Sequence, residues 1–294
     1  MNYMKLSNIE AKPVPRALTG FNELDFIYGY SVFPQNTYWG MPMDKISLWA
    51  GTSGIGKSRL AIDVAKKFSM KDTVLYFQTE ASMEDFAGWA KNAKQYDNFY
   101  CSGENKIDEM IKIIYELKPK LVIVDSVNEI EEFCNGNKKE TRRLINGENG
   151  SVGFKQAIAD IHSHLILLAQ LNGDGSIKGG TSLPHMVDIA LNLTPYCDDK
   201  SLFMVSVGVK HRYGRRDDEI HTAFMHEENG VKCIAKLSQS DSKWCESHGL
   251  PLRTRGEVLM DVPAGYVPNR EVEVENDYNS SPSKKSILNL SYWF

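Results

Sequence analysis

The sequence predicts an α/β fold in which a mostly parallel central sheet, flanked by helices, ends in antiparallel strands. Three observations predict it. After residue 44, short apolar runs alternate with stretches of helical period, the pattern of βα units laid into one sheet. The run Ile46-Ser47-Leu48-Trp49-Ala50 leads into Gly51-Thr52-Ser53-Gly54-Ile55-Gly56-Lys57-Ser58 and then into the helix-compatible stretch 59–68, giving strand, loop and helix in succession. Beyond Lys210 the helical period gives way to short alternating runs joined across Asn229-Gly230, a strong hairpin signal.

Taken in order, strands are expected at 45–50, 73–78, 121–125, 165–170, 187–193 and 203–209, with hairpin strands at 219–225 and 231–237. Helices are expected at 57–69, 83–94, 107–117 and 152–162. Ser82-Met83-Glu84-Asp85 reads as a capping box opening the second helix, and Pro119 closes the third. Residues 1–44, rich in Pro, Tyr and Asn, read as an N-terminal arm or lead-in, and residues 45–240 as the core. Residues 241–270 form a C-terminal extension of weak periodicity, and 271–294 a mobile tail, acidic at first and aromatic at its end.

Composition narrows the class. A chain of 294 residues, 42% hydrophobic and 24% charged, can bury the core of one large domain with appendages. A net charge of −4 excludes a generic polyanion binder, so any nucleic-acid contact must come from a local patch. The 5 cysteines are scattered and lack CxxC spacing, which argues for a reducing, cytoplasmic setting over a disulfide framework. Cys245 and His248, with Cys233 upstream, lack a fourth ligand and read as unpaired residues. No apolar stretch approaches the roughly 20 residues that cross a bilayer, and the N-terminus has no apolar signal core.

The chemistry starts at residues 51–58, a P-loop. Glycines at 51, 54 and 56 let backbone N–H groups of Thr52, Ser53 and Ile55 turn inward as an anion nest at a helix N-terminus. Lys57 supplies a cation for the β- and γ-phosphates, Ser58 a hard oxygen for Mg²⁺, and Arg59 follows at the helix start. Leu121-Val122-Ile123-Val124-Asp125 is a buried strand whose terminal carboxylate, Asp125, faces the ligand crevice and is the second candidate for Mg²⁺. Glu80, after Thr73-Val74-Leu75-Tyr76-Phe77, stands where it can orient a water in line with a γ-phosphate; the alternative is an exposed acid ahead of the helix that Ser82 caps.

Several ordered motifs resemble the RecA-like ATPases, and within them the RadA/Sms branch, with the DnaB-type helicase core a near relative. They are residues 16–25 (Arg16-Ala17-Leu18-Thr19-Gly20-Phe21-Asn22-Glu23-Leu24-Asp25), the P-loop, Leu75 to Ser82, Leu121 to Ser126, Gln170 to Gly180 with Leu183 to Asp188, and Lys210-His211-Arg212-Tyr213-Gly214. The resemblance spans about residues 16 to 226. It implies ATP and Mg²⁺ as ligands, single-stranded DNA as partner, and a homo-oligomer, either a ring such as a hexamer or a helical filament. It makes Gln170 a γ-phosphate sensor feeding the loop that contains Lys178. It makes Lys210 and Arg212, which by themselves read as a solvated basic edge, cations reaching a neighbouring subunit's nucleotide. Residues 135–150 take the place of the family's first DNA loop, with Lys138, Lys139, Arg142 and Arg143 as phosphate contacts, although surface loops of this composition are common.

The sequence carries neither the four-cysteine zinc module nor the Lon-protease-like domain of RadA, nor the N-terminal helical domain of DnaB-type helicases, and its size suits a phage or mobile-element version. The expected activity is an ATP-dependent motor on single-stranded DNA in recombination, repair or replication. A nucleotide-gated loader acting through the tail, or a KaiC-like regulatory ATPase without DNA function, are the competing classes.

Overall fold

The computed structural model describes residues 5, 13–32, 37–90, 96–130, 138–148, 150–178, 182–196, 201–214, 221–228 and 230–234, with backbone alone at 138–140 and 221. In chain order the elements are β1 (Arg16–Ala17), α1 (Asn22–Tyr28), β2 (Tyr30–Val32), β3 (Thr37–Trp39), β4 (Met41–Pro42), β5 (Lys45–Gly51), α2 (Lys57–Ser69), β6 (Val74–Gln78), α3 (Met83–Trp89) and β7 (Phe99–Ser102). They continue with α4 (Ile107–Leu117), β8 (Leu121–Asp125), α5 (Lys138–Asn146), α6 (Phe154–Asp160), β9 (His164–Gln170), α7 (Leu183–Met186), β10 (Ile189–Pro195), β11 (Leu202–His211), β12 (His221–Glu227) and β13 (Gly230–Cys233).

One nine-stranded sheet runs β13-β12-β11-β10-β5-β9-β8-β6-β7. The strands from β10 through β5 to β7 are parallel, while β10 to β13 are antiparallel, the mixed sheet expected from the sequence. The period of two along each strand divides the core into two layers. Trp49, Tyr76, Ile123, Ile166 and Leu168 face one layer with α1 and α2, while Leu48, Leu75, Phe77, Val122, Leu165 and Leu167 face the other with α4 and α6. Residues preceding β5 enter the first layer, through Phe21, Leu24, Ile27, Tyr28, Trp39 and Met41.

Local chemistry accounts for most element boundaries. Ser82 caps α3, its hydroxyl accepting from the Asp85 N–H at 3.1 Å. At the end of α4, Lys118 takes a left-handed φ of 49° ahead of Pro119, which cannot continue a helix. Expected helix 83–94 ends as α3 at Trp89, and residues 91–95 lie outside the described residues. The stretch 135–150, expected as a loop, contains α5, because Thr141, Leu144 and Ile145 line up at i, i+3 and i+4 as a buried stripe. Edge strand β7 was not expected: four residues after a polar stretch are too few to show a period. The hairpin stands as β12 and β13, pairing Glu227 with Gly230; expected strand residues 235–237 fall outside the described residues, as do 241–270 and the tail 271–294.

Under the N-terminal ends of β5 and β9 lies a buried polar chain. His164 Nδ1 is 2.8 Å from the Pro42 carbonyl, which can only accept, so Nδ1 carries the proton and Nε2 accepts from the Ser47 hydroxyl at 2.8 Å. Ser47 in turn accepts from Tyr28, and the Tyr28 oxygen accepts from Trp49 Nε1 at 2.9 Å. Every donor in this chain has an acceptor. Burial, the largest cause, lowers the His164 pKa to about 4, which keeps the ring neutral.

Candidate active site

At the other end of the same strands, the C-terminal edge of the parallel sheet opens into a cleft of about 520 Å³ lined by the P-loop, Glu80, Asp125 and Gln170, with Ser201 and His226 from the antiparallel side. The loop after β5 reaches α2 through left-handed glycines, φ 76° at Gly54 and 112° at Gly56. Gly56 occupies the N-cap position of α2 without a side-chain cap, so the first N–H groups of a 13-residue helix point at the cleft. A Cβ at Gly56 would collide with the His226 ring, so both conformation and space demand glycine there.

Lys57, Ser58, Glu80, Asp125 and Gln170 all line this cleft. The Lys57 ammonium donates to the carbonyls of Gly51 and Thr52, both at 2.9 Å, and desolvation lowers its pKa against the raising effects of Asp125 and Glu80. Asp125, at the end of β8, is 2% exposed and accepts from the Tyr76 hydroxyl at 2.6 Å and from Ser58. Desolvation pushes its carboxyl above the usual range, with Glu80 adding to the rise, while the hydrogen bonds from Tyr76 and Ser58 and the charge of Lys57 oppose it. Glu80 is exposed on the turn after β6, where the buried Gln78 amide oxygen accepts from its N–H at 2.9 Å and from the Ala81 N–H at 3.3 Å. That turn is also tied to β8, since Thr79 N–H donates to Asp125 O and its hydroxyl to Ser126 O, each at 2.8 Å.

Ser58 and Asp125 fit a hard divalent cation. A buried carboxylate held up by desolvation beside a hydroxyl is stabilised when a cation joins it, and two protein oxygens are the complement that Mg²⁺ takes when phosphates and water complete its shell. Among the described residues no cluster of three or more His, Cys, Asp or Glu offers a denser metal site.

Four residues of the site were not singled out from the sequence. Tyr76 hides in an apolar strand, and nothing in its spacing marks its hydroxyl. Asn128 bridges the loops after β8 and β9: its Oδ1 accepts from Gln170 N–H at 2.7 Å and its Nδ2 donates to Lys178 O, while Lys178 N–H donates to Gln170 O at 2.8 Å. A polar residue three positions beyond Asp125 was the available signal. His226 comes from β12, its ring 5.0 Å from that of Phe203, and its pKa is lowered by burial and by Arg59. Ser201, beside it, accepts the His226 N–H on its backbone carbonyl at 2.8 Å.

Other expected site residues stand apart from the cleft. Lys210 and Arg212 lie beyond the opposite edge: Ile189 pairs with both Ser47 and His211 at the start of β5, whereas the P-loop follows its end. The four strand steps from Ser47 to Gly51, roughly 13 Å at 3.3 Å per residue, lie between that register position and the P-loop. Lys210 Nζ donates to His185 O at 2.6 Å, and Arg212, half exposed, stands 3.9 Å from Asp188, whose carboxylate accepts the Ile46 N–H. Arg142 and Lys178 are exposed, and Arg143 is 3.6 Å from Asp108; of Lys138 and Lys139 only the backbone, in the first turn of α5, is described. No helix among the described residues is long and apolar enough to cross a membrane.

No protein-family profile matches the sequence. Individual relatives do. The DNA repair protein RadA of Mycolicibacterium smegmatis is 29% identical over 226 residues, covering 75% of this chain and 45% of the relative. That of Mycobacterium tuberculosis is 25% identical over 287 residues, covering 91% and 56%, and that of Streptococcus pyogenes is 26% identical over 227 residues, covering 73% and 45%. The chain thus spans about half the length of the curated relatives it matches. With a nine-stranded mixed sheet and a P-loop after its central strand, the chain has a RecA-like α/β core, and along most of its length it is similar to RadA DNA repair proteins.

Proposed function

We propose that this chain is an ATP-driven motor on single-stranded DNA, hydrolysing ATP between neighbouring copies of a ring or helical filament and acting in the cytoplasm in DNA repair, recombination or replication. The observation that carries the reading is the division of charge between the two edges of the sheet. One edge gathers Lys57, Ser58, Asp125, Glu80 and Gln170 around a single cleft, while Lys210 and Arg212 flank His211, which is in register with Ser47 near the opposite edge. Cations at the far edge cannot serve the cleft of their own copy. They serve one presented by a neighbour.

In this mechanism the N–H groups of the P-loop, residues 51–58, and the start of α2 bind the phosphates, and Ser53, Gly54, Gly56 and Arg59 line the cleft around them. Lys57 turns from its carbonyls to the β- and γ-phosphates. Ser58 and Asp125 would hold Mg²⁺, which would supply neutralisation of phosphate charge. Glu80 orients a water for in-line attack and takes its proton as the new P–O bond forms and the bond to the β-phosphate oxygen breaks. Arg212 and Lys210 of the neighbouring copy stabilise the charge that develops on the transferred group. Gln170 contacts the γ-phosphate, and Asn128 carries a change there to both adjoining loops, since it bonds Gln170 and Lys178 alike. Lys138, Lys139, Arg142, Arg143 and Lys178 contact the phosphates of a single strand, and Arg143 exchanges Asp108 for phosphate. That the similar proteins are DNA repair proteins supports this choice of process.

Steady-state hydrolysis measured with and without single-stranded DNA over a salt series tests the reading. Stimulation that weakens as salt rises, and weakens less steeply in Arg142→Ala, is expected. Turnover indifferent to DNA at every salt concentration would remove the motor and leave a nucleotide-dependent regulator.

A further inference from the structure

Arg16, in β1, joins three distant pieces of chain. Its Nε donates to Ser31 Oγ at 2.7 Å, its Nη1 donates to the carbonyls of Tyr28 at 2.9 Å and Gly40 at 2.8 Å, and its Nη2 donates to the carbonyl of Tyr213. A guanidinium holds its five N–H groups in one rigid plane, so partners on α1, on the turn after β3 and on the turn after β11 are fixed relative to one another by a single side chain. Burial lowers its pKa only to about 10, so the group stays charged at neutral pH.

Tyr213 belongs to the segment that carries Lys210 and Arg212, and the rest of that segment's root is held from the same side. Lys45 Nζ lies 5.3 Å from the centre of the Tyr213 ring, and the Gly214 N–H donates to His211 Nδ1 at 2.8 Å. Gly29, with φ 86°, lets the chain after α1 press on this turn: a Cβ there would come within 2.8 Å of Gly214 Cα. Of the two tips, Lys210 is pinned to the His185 carbonyl at 2.6 Å, while Arg212 is exposed and at the outer limit of an ion pair with Asp188. The root is thus rigid, and the Arg212 guanidinium faces outward.

We infer that Arg16 is a positioning residue for hydrolysis: it sets the pose in which Lys210 and Arg212 are offered to the nucleotide of a neighbouring copy. The inference rests on the interface reading above. Its consequence is a separation of functions within one protomer. Loss of Arg16 spoils the cations that the protomer lends and spares the cleft that it owns.

Subunit mixing tests this. Lys57→Ala has a dead cleft and intact cations; Arg16→Ala has an intact cleft and misplaced cations. Alone, Arg16→Ala is expected to bind a fluorescent ATP analogue within about twofold of the parent and to turn over about 10- to 100-fold more slowly, the scale of a reacting group displaced by an ångström. Mixed with Lys57→Ala, it is expected to regain turnover that neither variant shows alone. Arg212→Ala mixed with Lys57→Ala is the reference pair. Recovery in the reference pair without recovery for Arg16→Ala overturns the inference alone, because the damage then lies in the cleft of the Arg16 variant. No recovery in the reference pair overturns the interface reading and the inference with it. Arg16→Lys, which keeps the charge and loses the fork, is mixed in the same way if Arg16→Ala does not fold, and by itself its turnover is expected to lie between those of parent and Arg16→Ala.

Discussion

The N-terminal and C-terminal ends of the parallel strands carry different polar groups and are put to opposite uses. At their N-terminal ends Ser47, His164, Tyr28 and Trp49 pass hydrogen bonds from donor to acceptor until the Pro42 carbonyl closes the chain. At their C-terminal ends Lys57, Asp125, Glu80 and Gln170 face an open cleft, and two of them, Lys57 and Asp125, are shifted by desolvation toward their neutral forms. Buried polar groups that satisfy one another stiffen a structure; polar groups aimed into a cleft retain capacity for a ligand. The first end fastens the segment before β5 to the sheet, and the second is where chemistry can occur.

The strongest way to break this contrast is Lys57→Ala. Turnover is expected to fall at least about 1,000-fold, as for removal of a central charge-stabilising group, in a phosphate-release assay. Retention of turnover within about tenfold would mean that the cleft is not the site. Glu80→Gln sharpens the same end: a fall of about 100-fold or more in single-turnover hydrolysis is expected, with fluorescent-nucleotide affinity preserved. Equal losses of affinity and rate would make Glu80 a binding group instead of a base.

The closed end predicts a pH effect. His164 has its folded pKa lowered to about 4 from the ordinary 6.5, so between those values the unfolded chain binds the extra proton. Its contribution is therefore complete above about pH 6.5 and is lost as pH falls toward 4, an amount on the order of 3 kcal/mol. Urea titrations of the parent and of His164→Gln are expected to show the parent losing stability more steeply over that window. Parallel profiles would show that the ring is not held neutral by its burial. The smallest expected effect is that of Tyr76→Phe, which keeps the ring stacked 4.8 Å from Phe86 and removes only the hydroxyl donating to Asp125. A loss of about 1 kcal/mol and a few-fold rise in the Mg²⁺ concentration needed for half-maximal turnover are expected. An unchanged Mg²⁺ requirement would uncouple that hydrogen bond from the metal ligand.

Much of the site could be read from local order because its chemistry is local. The P-loop needs its glycines, Lys57 and Ser58 at fixed spacing, and a buried strand ending in Asp125 announces both its burial and its direction. Tyr76 could not be read, since an aromatic in a central strand serves packing as readily as hydrogen bonding. Nor could α5, whose charged residues concealed the buried stripe of Thr141, Leu144 and Ile145 at helical spacing.

By itself, then, the order of residues determined the strands and helices of the core, the phosphate-binding loop and the carboxylates around it, because periodicity and motif spacing act within a few residues of chain. Tertiary structure alone decided that Tyr28, Trp39 and Met41 enter the same core as α2, that Asn128 joins two loops, that His226 rests on Gly56, and that Lys210 and Arg212 stand at the far edge from the cleft. Those relations depend on strand order and on contacts between residues far apart in the chain, as Arg16 and Tyr213 are, and such partners are chosen by packing, which spacing does not encode.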